Sequence, residues 1–421
     1  NSTTIAAIAT PLIPSAIGII RVSGPNTVDI IAQLFKETSV THRKMVTQKA
    51  YDNDQNILDE CCYTYYKAPH SYTGEDVLEI FCHGSVYILK QFIQIITSHP
   101  DCQLAKNGEF TQRAFLNGKI PLSKAESILD IIESNSEASH NIALNQYTGQ
   151  VYQTISTCRE ALMNMLQQVE ASLEFPDDVG NIKSHDALTQ SSKIIDQLTP
   201  VITASDYGAL IKKGLTYLII GEPNVGKSSI LNALSGESRS IVSDTAGTTR
   251  DYIDLCIEYK GILITLIDTA GIRETESTIE KMGIEKIKEL SRSADGYILI
   301  NDATNQTEFN WPSFLDKNKP IITVINKIDQ KKPRPEESMI QTSCQTGEGL
   351  RALKNALVST FIDPSQYDPN HMLCNFRQIS ALNQAFSLIK SAHNHIQSNT
   401  TLDIVCIDLR EAIDNLSDIM G

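Results

Sequence analysis

The sequence lacks any run of eighteen apolar residues, so nothing in it reads as a membrane-spanning helix. Its start, Asn1-Ser-Thr-Thr-Ile-Ala-Ala-Ile-Ala-Thr10, also lacks the basic stretch and long apolar core of a secretory leader. A cytoplasmic protein without membrane attachment is expected. The nine cysteines include no Cys-x-x-Cys pair, which removes the ligand spacing of a zinc ribbon or a thioredoxin-type site. Most should be buried, reduced thiols. Basic charge is short as well: 36 Lys and Arg stand against 50 Asp and Glu, a formal charge of −14. A protein that grips RNA unaided normally offers a basic face that displaces phosphate counterions. Work on RNA would therefore need a local basic patch or a basic partner, and the clusters Lys212-Lys213 and Lys331-Lys332-Pro333-Arg334 are too small to decide the matter. No internal repeat or low-complexity tract is present.

What is there suits a soluble chain of several domains: 421 residues, 41% hydrophobic and 20% charged. Leu162, Met165, Leu166, Val169 and Leu173 recur at helical spacing and form one apolar stripe. The pattern returns at Ile379, Leu382, Phe386, Ile389 and Ile396, and again from Leu402 to Leu416. Between these helices lie short apolar runs at Leu218–Ile220, Ile262–Ile267, Tyr297–Ile300 and Ile321–Ile325, the alternation of a doubly wound, mostly parallel sheet. The boundaries fall near Gly208 to Gly214 and in the Pro-rich stretch Asp363 to Pro369. A helical domain interrupted by an α/β insertion is the simplest arrangement. The first part, to about Lys119, mixes strand-like segments such as Ala16–Val22 with helical ones such as Val86–Ile96 and reads as a separate α+β domain.

Directly after the first run of the insertion comes Gly221-Glu-Pro-Asn224-Val225-Gly226-Lys227-Ser228-Ser229, a G-x-x-x-x-G-K-S phosphate loop opening a helix. Glycines let backbone amides wrap the phosphates, Lys227 reaches the β- and γ-phosphates, and Ser228 ligates magnesium. Three further elements follow in order. Asp268-Thr269-Ala270-Gly271 closes the next run, with Asp268 placed to hold the magnesium shell and the Gly271 N–H to sense the γ-phosphate. Asn326-Lys327-Ile-Asp329 closes another, where the Asp329 carboxylate can accept two hydrogen bonds from guanine and none that satisfy it from adenine. Ser343-Cys344 forms the last base-contacting loop. Between the first two motifs, Gly247-Thr248-Thr249 is a switch loop whose Thr249 binds magnesium in the presence of the γ-phosphate. The position after Gly271 is Ile272, an aliphatic residue that cannot polarise water. Another group must orient the nucleophile, and Glu274, Glu276, Glu280 and Glu285 are the candidates.

Four stretches beyond the nucleotide motifs carry a likeness: Gly18-Ile-Ile-Arg21-Val-Ser-Gly24, Lys67-Ala-Pro-His-Ser-Tyr-Thr-Gly-Glu-Asp-Val-Leu-Glu79-Ile-Phe-Cys-His-Gly84, Gly108-Glu-Phe-Thr-Gln-Arg-Ala-Phe-Leu-Asn-Gly-Lys119 and Leu173-Glu-Phe-Pro-Asp-Asp178. With them the chain resembles the MnmE (TrmE) family of tRNA-modifying GTPases over nearly its whole length. The resemblance implies residues 1–118 as a dimerising, tetrahydrofolate-binding α+β domain, 119–210 and 366–421 as the two parts of a helical domain, and 211–365 as an inserted Ras-like G domain. It implies Arg21, Glu79 and Lys119 in the folate pocket. It further implies a potassium ion held by Asn224, Ser243, Thr245 and Thr248, and Glu280 as the water-orienting carboxylate. GTP, magnesium, potassium and a 5-formyl- or 5,10-methylene-tetrahydrofolate are the implied ligands. The implied partners are a second copy of the chain, an FAD-dependent MnmG-like protein, and tRNA as substrate.

Two stretches depart from the family: Leu12-Ile-Pro-Ser-Ala-Ile17 replaces a glycine-rich loop, and the family's Cys-x-Gly-Lys tail is not in this sequence, which stops at Asp418-Ile-Met-Gly421. No catalytic residue is assigned there. The expected function is a GTPase in 5-carboxymethylaminomethyl-type modification of the tRNA wobble uridine. The rival reading, a regulatory GTPase of ribosome assembly, would favour an RNA-binding module after the G domain, where amphipathic helices stand instead.

Overall fold

The computed structural model describes residues 3–37, 39–174, 184–236, 254–268, 288–305, 315–331, 339–363, 368–398 and 400–420. Backbone contacts divide the chain into two units, residues 1–125 and 126–421.

The first unit is built on a six-stranded sheet. Its strands are β1 (Thr4–Ile8), β2 (Ser15–Ser23), β3 (Met45–Tyr51), β4 (Ile57–Tyr66), β5 (Val77–Gly84) and β6 (Cys102–Leu104), in the order β3-β4-β5-β2-β1-β6. Neighbours are antiparallel except β1 and β6. Strand alternation divides the side chains between two faces. Ile20, Val22, Leu78, Ile80 and Tyr63 are buried in one cluster with Ile30, Ile31, Leu34 and Phe35 of helix α1 (Thr27–Phe35) and with Leu89, Phe92 and Ile96 of α2 (Val86–Thr97). The opposite face carries the register pair Arg21 and Glu79. A short helix α3 (Glu109–Leu116) and the loop 67–76 lie beside that pair.

The second unit contains a bundle and a second sheet. Its helices are α4 (Leu122–Glu133, which begins in the first unit), α5 (Glu137–Thr148), α6 (Gln150–Glu174) and α7 (Ser184–Lys213) before the sheet, and α10 (Phe376–Gln397) and α11 (Leu402–Met420) after it. Leu162, Met165 and Val169 of the stripe foreseen in α6 are buried with Leu382 and Ile389 of α10 and Leu409 and Leu416 of α11. Of the expected boundary span Gly208 to Gly214, Gly208 lies inside α7, where a Cβ would stand 2.1 Å from the Leu373 carbonyl oxygen, so this glycine admits a close chain crossing. Gly214, at a φ of +76°, stands between the end of α7 and Leu215, where the second sheet begins.

The second sheet comprises β7 (Leu215–Ile220), β8 (Asp254–Tyr259), β9 (Ile262–Asp268), β10 (Gly296–Asp302), β11 (Ile321–Asn326) and β12 (Met339–Gln341), ordered β12-β11-β10-β7-β9-β8. All neighbours are parallel except the edge pair β8 and β9. Helices α8 (Lys227–Gly236) and α9 (Leu350–Ser359) accompany it. Both faces are buried, with Tyr217 and Ile219 in one cluster and Leu218 and Ile220 in another, which is why the strands read as continuous apolar runs. The larger cluster also takes in Ala138 and Ile142 of α5 and Ala204 of α7, so this sheet and the bundle share a core. At that seam the first free amides of α5 find partners in the β8–β9 hairpin: Glu137 N–H donates to Glu258 Oε1 at 2.8 Å and Ala138 N–H to the Gly261 carbonyl at 2.9 Å. No described helix is long and apolar enough to cross a membrane.

Candidate functional site

Strand β7 delivers the chain to the phosphate loop, and α8 begins at Lys227. The helix N-terminus therefore opens where the loop's amides gather, a natural place for an anion. Lys227 is buried along its stem, and its ammonium donates to the carbonyls of Gly221 (3.0 Å) and Glu222 (2.8 Å), which hold it over the loop. Ser228 Oγ donates to Asp268 Oδ2 at 3.2 Å. A hydroxyl and a carboxylate meeting beside a phosphate loop are the donor set magnesium takes in this class of site. Val225 is buried, whereas Asn224, Ser228 and Ser229 are exposed.

The guanine motif closes on the same loop from β11. Asn326 is buried, and its Nδ2 donates to the Val225 carbonyl at 3.1 Å. Gly226 makes that approach possible, because a Cβ there would lie 2.3 Å from the same amide nitrogen, and its φ of +97° suits glycine. Lys327 reaches across to the Asn224 carbonyl at 2.7 Å, fixing a residue whose φ is +65°. On the far side, Ser343 Oγ donates to Asp329 Oδ1 at 2.6 Å, which orients the carboxylate expected to read the base. Cys344 Sγ lies 3.5 Å from Asn326 Oδ1. Burial pushes the Cys344 thiol up, so the group stays a neutral donor there.

Asp302, at the end of β10, was not singled out by its motif. It accepts from Lys327 Nζ at 2.6 Å and from both the hydroxyl and the N–H of Thr304. Burial pushes its carboxyl up, but the bond from Lys327 and those from Thr304 outweigh it, and the group sits below the ordinary carboxylate range. Asp302 thus anchors the lysine that spans the phosphate loop.

Of the remaining nucleotide residues, Ser243, Thr245, Gly247, Thr248, Thr249, Thr269, Ala270, Gly271 and Glu280 lie outside the described residues. The structure brings Asn224, Val225, Gly226, Lys227, Ser228, Asp268, Asn326, Lys327, Asp329, Ser343 and Cys344 into one linked group.

A second cluster lies in the first unit. Arg21 and Glu79 pair across β2 and β5, with Arg21 Nε donating to Glu79 Oε1 at 2.9 Å. The guanidinium carbon of Arg21 stands 5.5 Å from the Tyr72 ring centre and 5.7 Å from that of Phe110, within cation–π range of both. Lys119 joins the cluster through loop 67–76: its Nζ donates to the Pro69 carbonyl at 2.8 Å, and its stem lies beside Gly74. Arg113 ties the loop down, donating to both oxygens of Glu75 and, at 2.9 Å, to Glu109. Ser23 gives its one hydroxyl proton to Glu75 (2.7 Å), so Thr73 is the donor in the Ser23–Thr73 bond. Tyr72, Phe110 and Arg113 were present in the quoted stretches; aromatic residues within otherwise polar segments were the signal that could have marked Tyr72 and Phe110, and the Glu109–Arg113 spacing of four on a helix the one that could have marked Arg113.

These two centres stand beside what comparison with other proteins finds. The chain matches the family description "GTP-binding protein TrmE N-terminus" over residues 4–119 and "MnmE helical domain" over residues 122–421. The chain belongs to the MnmE family. Relatives carrying the name "tRNA modification GTPase MnmE" include one from Carboxydothermus hydrogenoformans, 37% identical over 99% of this chain and 95% of that protein. Another MnmE, from Aquifex aeolicus, is 35% identical over the same shares. Among solved structures, the G domain of the T. maritima FeoB iron transporter is 28% identical over 34% of this chain and 97% of its own, with a TM-score of 0.27. Era in complex with MgGDPNP and a segment of 16S ribosomal RNA is 27% identical over 42% of this chain and 66% of its own, with a TM-score of 0.28. Superpositions so partial carry no weight beside the MnmE assignment.

Proposed function

We propose that this MnmE-family chain hydrolyses GTP in a potassium-dependent way and acts, with an FAD-dependent MnmG-like partner, in 5-carboxymethylaminomethyl-type modification of the wobble uridine of tRNAs. The observation that carries the guanine part is the closure of Asn326 and Lys327 on the phosphate loop while Ser343 steadies Asp329. A carboxylate held there is satisfied by the two donors of a guanine edge and left unpaired by adenine. Lys227 and the amides of residues 224–229 bind the phosphates, and Ser228 and Asp268 fit a magnesium ion, which when bound would neutralise developing phosphate charge. Thr249 would add a magnesium ligand, Thr269, Ala270 and Gly271 would follow the γ-phosphate, and Glu280 would orient the attacking water. Asn224, with Ser243, Thr245 and Thr248, would hold potassium where negative charge accumulates, and Gly247 would lie among the GTP-binding residues of the same loop.

For the second centre the proposed ligand is a one-carbon tetrahydrofolate held at Arg21, Glu79 and Lys119. A cation flanked by Tyr72 and Phe110 suits a planar, anionic ligand. The domain limits 1–118, 119–210, 211–365 and 366–421, a homodimer and a cytoplasmic address complete the reading. Titration of the purified chain with GTP and ATP in magnesium and potassium tests its foundation. Saturable, much tighter binding of GTP is expected, and equal preference for ATP would end the proposal.

A further inference from the structure

The chain's overall charge of −14 conceals a local excess of cations beside the Arg21 cluster. Arg43, Lys44, Lys67 and Lys119 are exposed, and none of the four forms an ion pair with a described carboxylate. The segment carrying His42, Arg43 and Lys44 meets the loop carrying Lys67 and His70, on which Lys119 also rests. Arg43 takes a left-handed turn (φ +58°), its N–H donates to the Tyr65 carbonyl at 2.8 Å, and its guanidinium reaches the His70 carbonyl at 3.4 Å. The Lys67 N–H donates to His42 Nδ1 at 2.9 Å, so the neutral ring carries its proton on Nε2 as a further donor. The His42 and His70 rings stand 6.3 Å apart. Lys119 rests on Pro69, the residue before His70.

This rim and the Arg21 pocket share one loop. His70 and Tyr72 are two residues apart, at most roughly 7 Å at full extension, and Tyr72 is one of the rings against Arg21. A ligand anchored at Arg21 and extending past Lys119 would meet the rim at once. Because the four cations are not engaged by the protein's own carboxylates, they favour a ligand that supplies a string of them. Reduced folates carry such a string when their glutamate is extended by γ-linked residues, each adding one carboxylate.

We propose that Arg43, Lys44, Lys67 and Lys119 hold the oligo-γ-glutamyl tail of the folate whose ring occupies the Arg21 pocket. The enzyme thereby takes polyglutamylated folate in preference to the monoglutamate. This rests on the folate reading above. A tRNA backbone is the competing polyanion, but the rim spans only two short loops and the chain as a whole carries −14, whereas phosphate-backbone binding draws on a broad basic face.

The test is a titration of the full chain with mono- and pentaglutamyl 5-formyltetrahydrofolate at low and at physiological salt. It is repeated on a variant carrying Arg43→Gln, Lys44→Gln and Lys67→Gln. The wild type should bind the pentaglutamate about tenfold tighter at low salt, with the advantage shrinking as salt rises. The variant should bind both forms with the affinity of the wild type for the monoglutamate and keep its melting temperature. If the monoglutamate binds and the pentaglutamate binds no tighter, the rim proposal is overturned while the pocket reading stands. If neither binds, both fall. Equal weakening of the two folates in the variant would show that the cations merely support the loop. Unchanged folate binding with weakened tRNA binding would assign the rim to phosphate instead. Either result overturns the proposal.

Discussion

At the scale of single residues, Asp302 shows how a carboxylate remote from the nucleotide governs its pocket. It faces Lys327, and Lys327 holds the Asn224 carbonyl. Asp302→Ala should lower GDP and GTP affinity about tenfold, roughly 1.4 kcal/mol, by freeing that lysine. Fluorescent-nucleotide titration measures it, and unchanged affinity at an unchanged melting temperature would remove the anchoring role. Glu280→Ala should instead keep GTP affinity and lose most turnover, so undiminished hydrolysis would exclude Glu280. The cysteines give a prediction in pH. Burial first, then the negative charges nearby, push the thiols of Cys61 and Cys374 up to about 12. A thiol raised on folding contributes stability that is complete below its unfolded value, about 8.5, and is lost as pH rises toward the folded one. Denaturant midpoints should therefore fall steadily above about pH 8.5, and less steeply in Cys374→Ala after allowance for its altered packing.

Among elements, those with a strong period were legible in sequence: the stripes of α6, α10 and α11, and the runs of β7, β9, β10 and β11. Strand β8 was not, because this edge strand is mostly half-buried and mixes Glu258 and Tyr259 with its apolar residues. Helix α5 was missed for a different reason. Its buried side includes Ser139 and Gln146, and its start is set by a reciprocal cap between Ser136 and Ser139 and by the hairpin. Polar contacts of that kind leave no hydrophobic period to find. The nucleotide motif was legible because its chemistry prescribes glycine, lysine and serine at set spacings, while Asp302 meets Lys327 only through the pairing of β10 with β11. Gly261→Ala tests the hairpin contact. A Cβ there would stand 3.1 Å from the Ala138 nitrogen, at a φ of +77° that disfavours side chains. A loss of about 1–3 kcal/mol is expected by chemical denaturation, and a neutral substitution would show that the hairpin does not seat on α5.

For the whole molecule, the proposed potassium site predicts that exchanging potassium for sodium slows GTP turnover and reduces pairing of G domains, read by phosphate release and light scattering. Equal rates in both salts would discard the cation. The shared core beneath the second sheet also bears on heating. Since Ala138, Ile142 and Ala204 of the flanking helices are packed into the same cluster as Tyr217 and Ile264, neither part can lose its packing without baring the other. Calorimetry should therefore record residues 126–421 as one cooperative endotherm, where an insertion joined only by its two connections would melt separately.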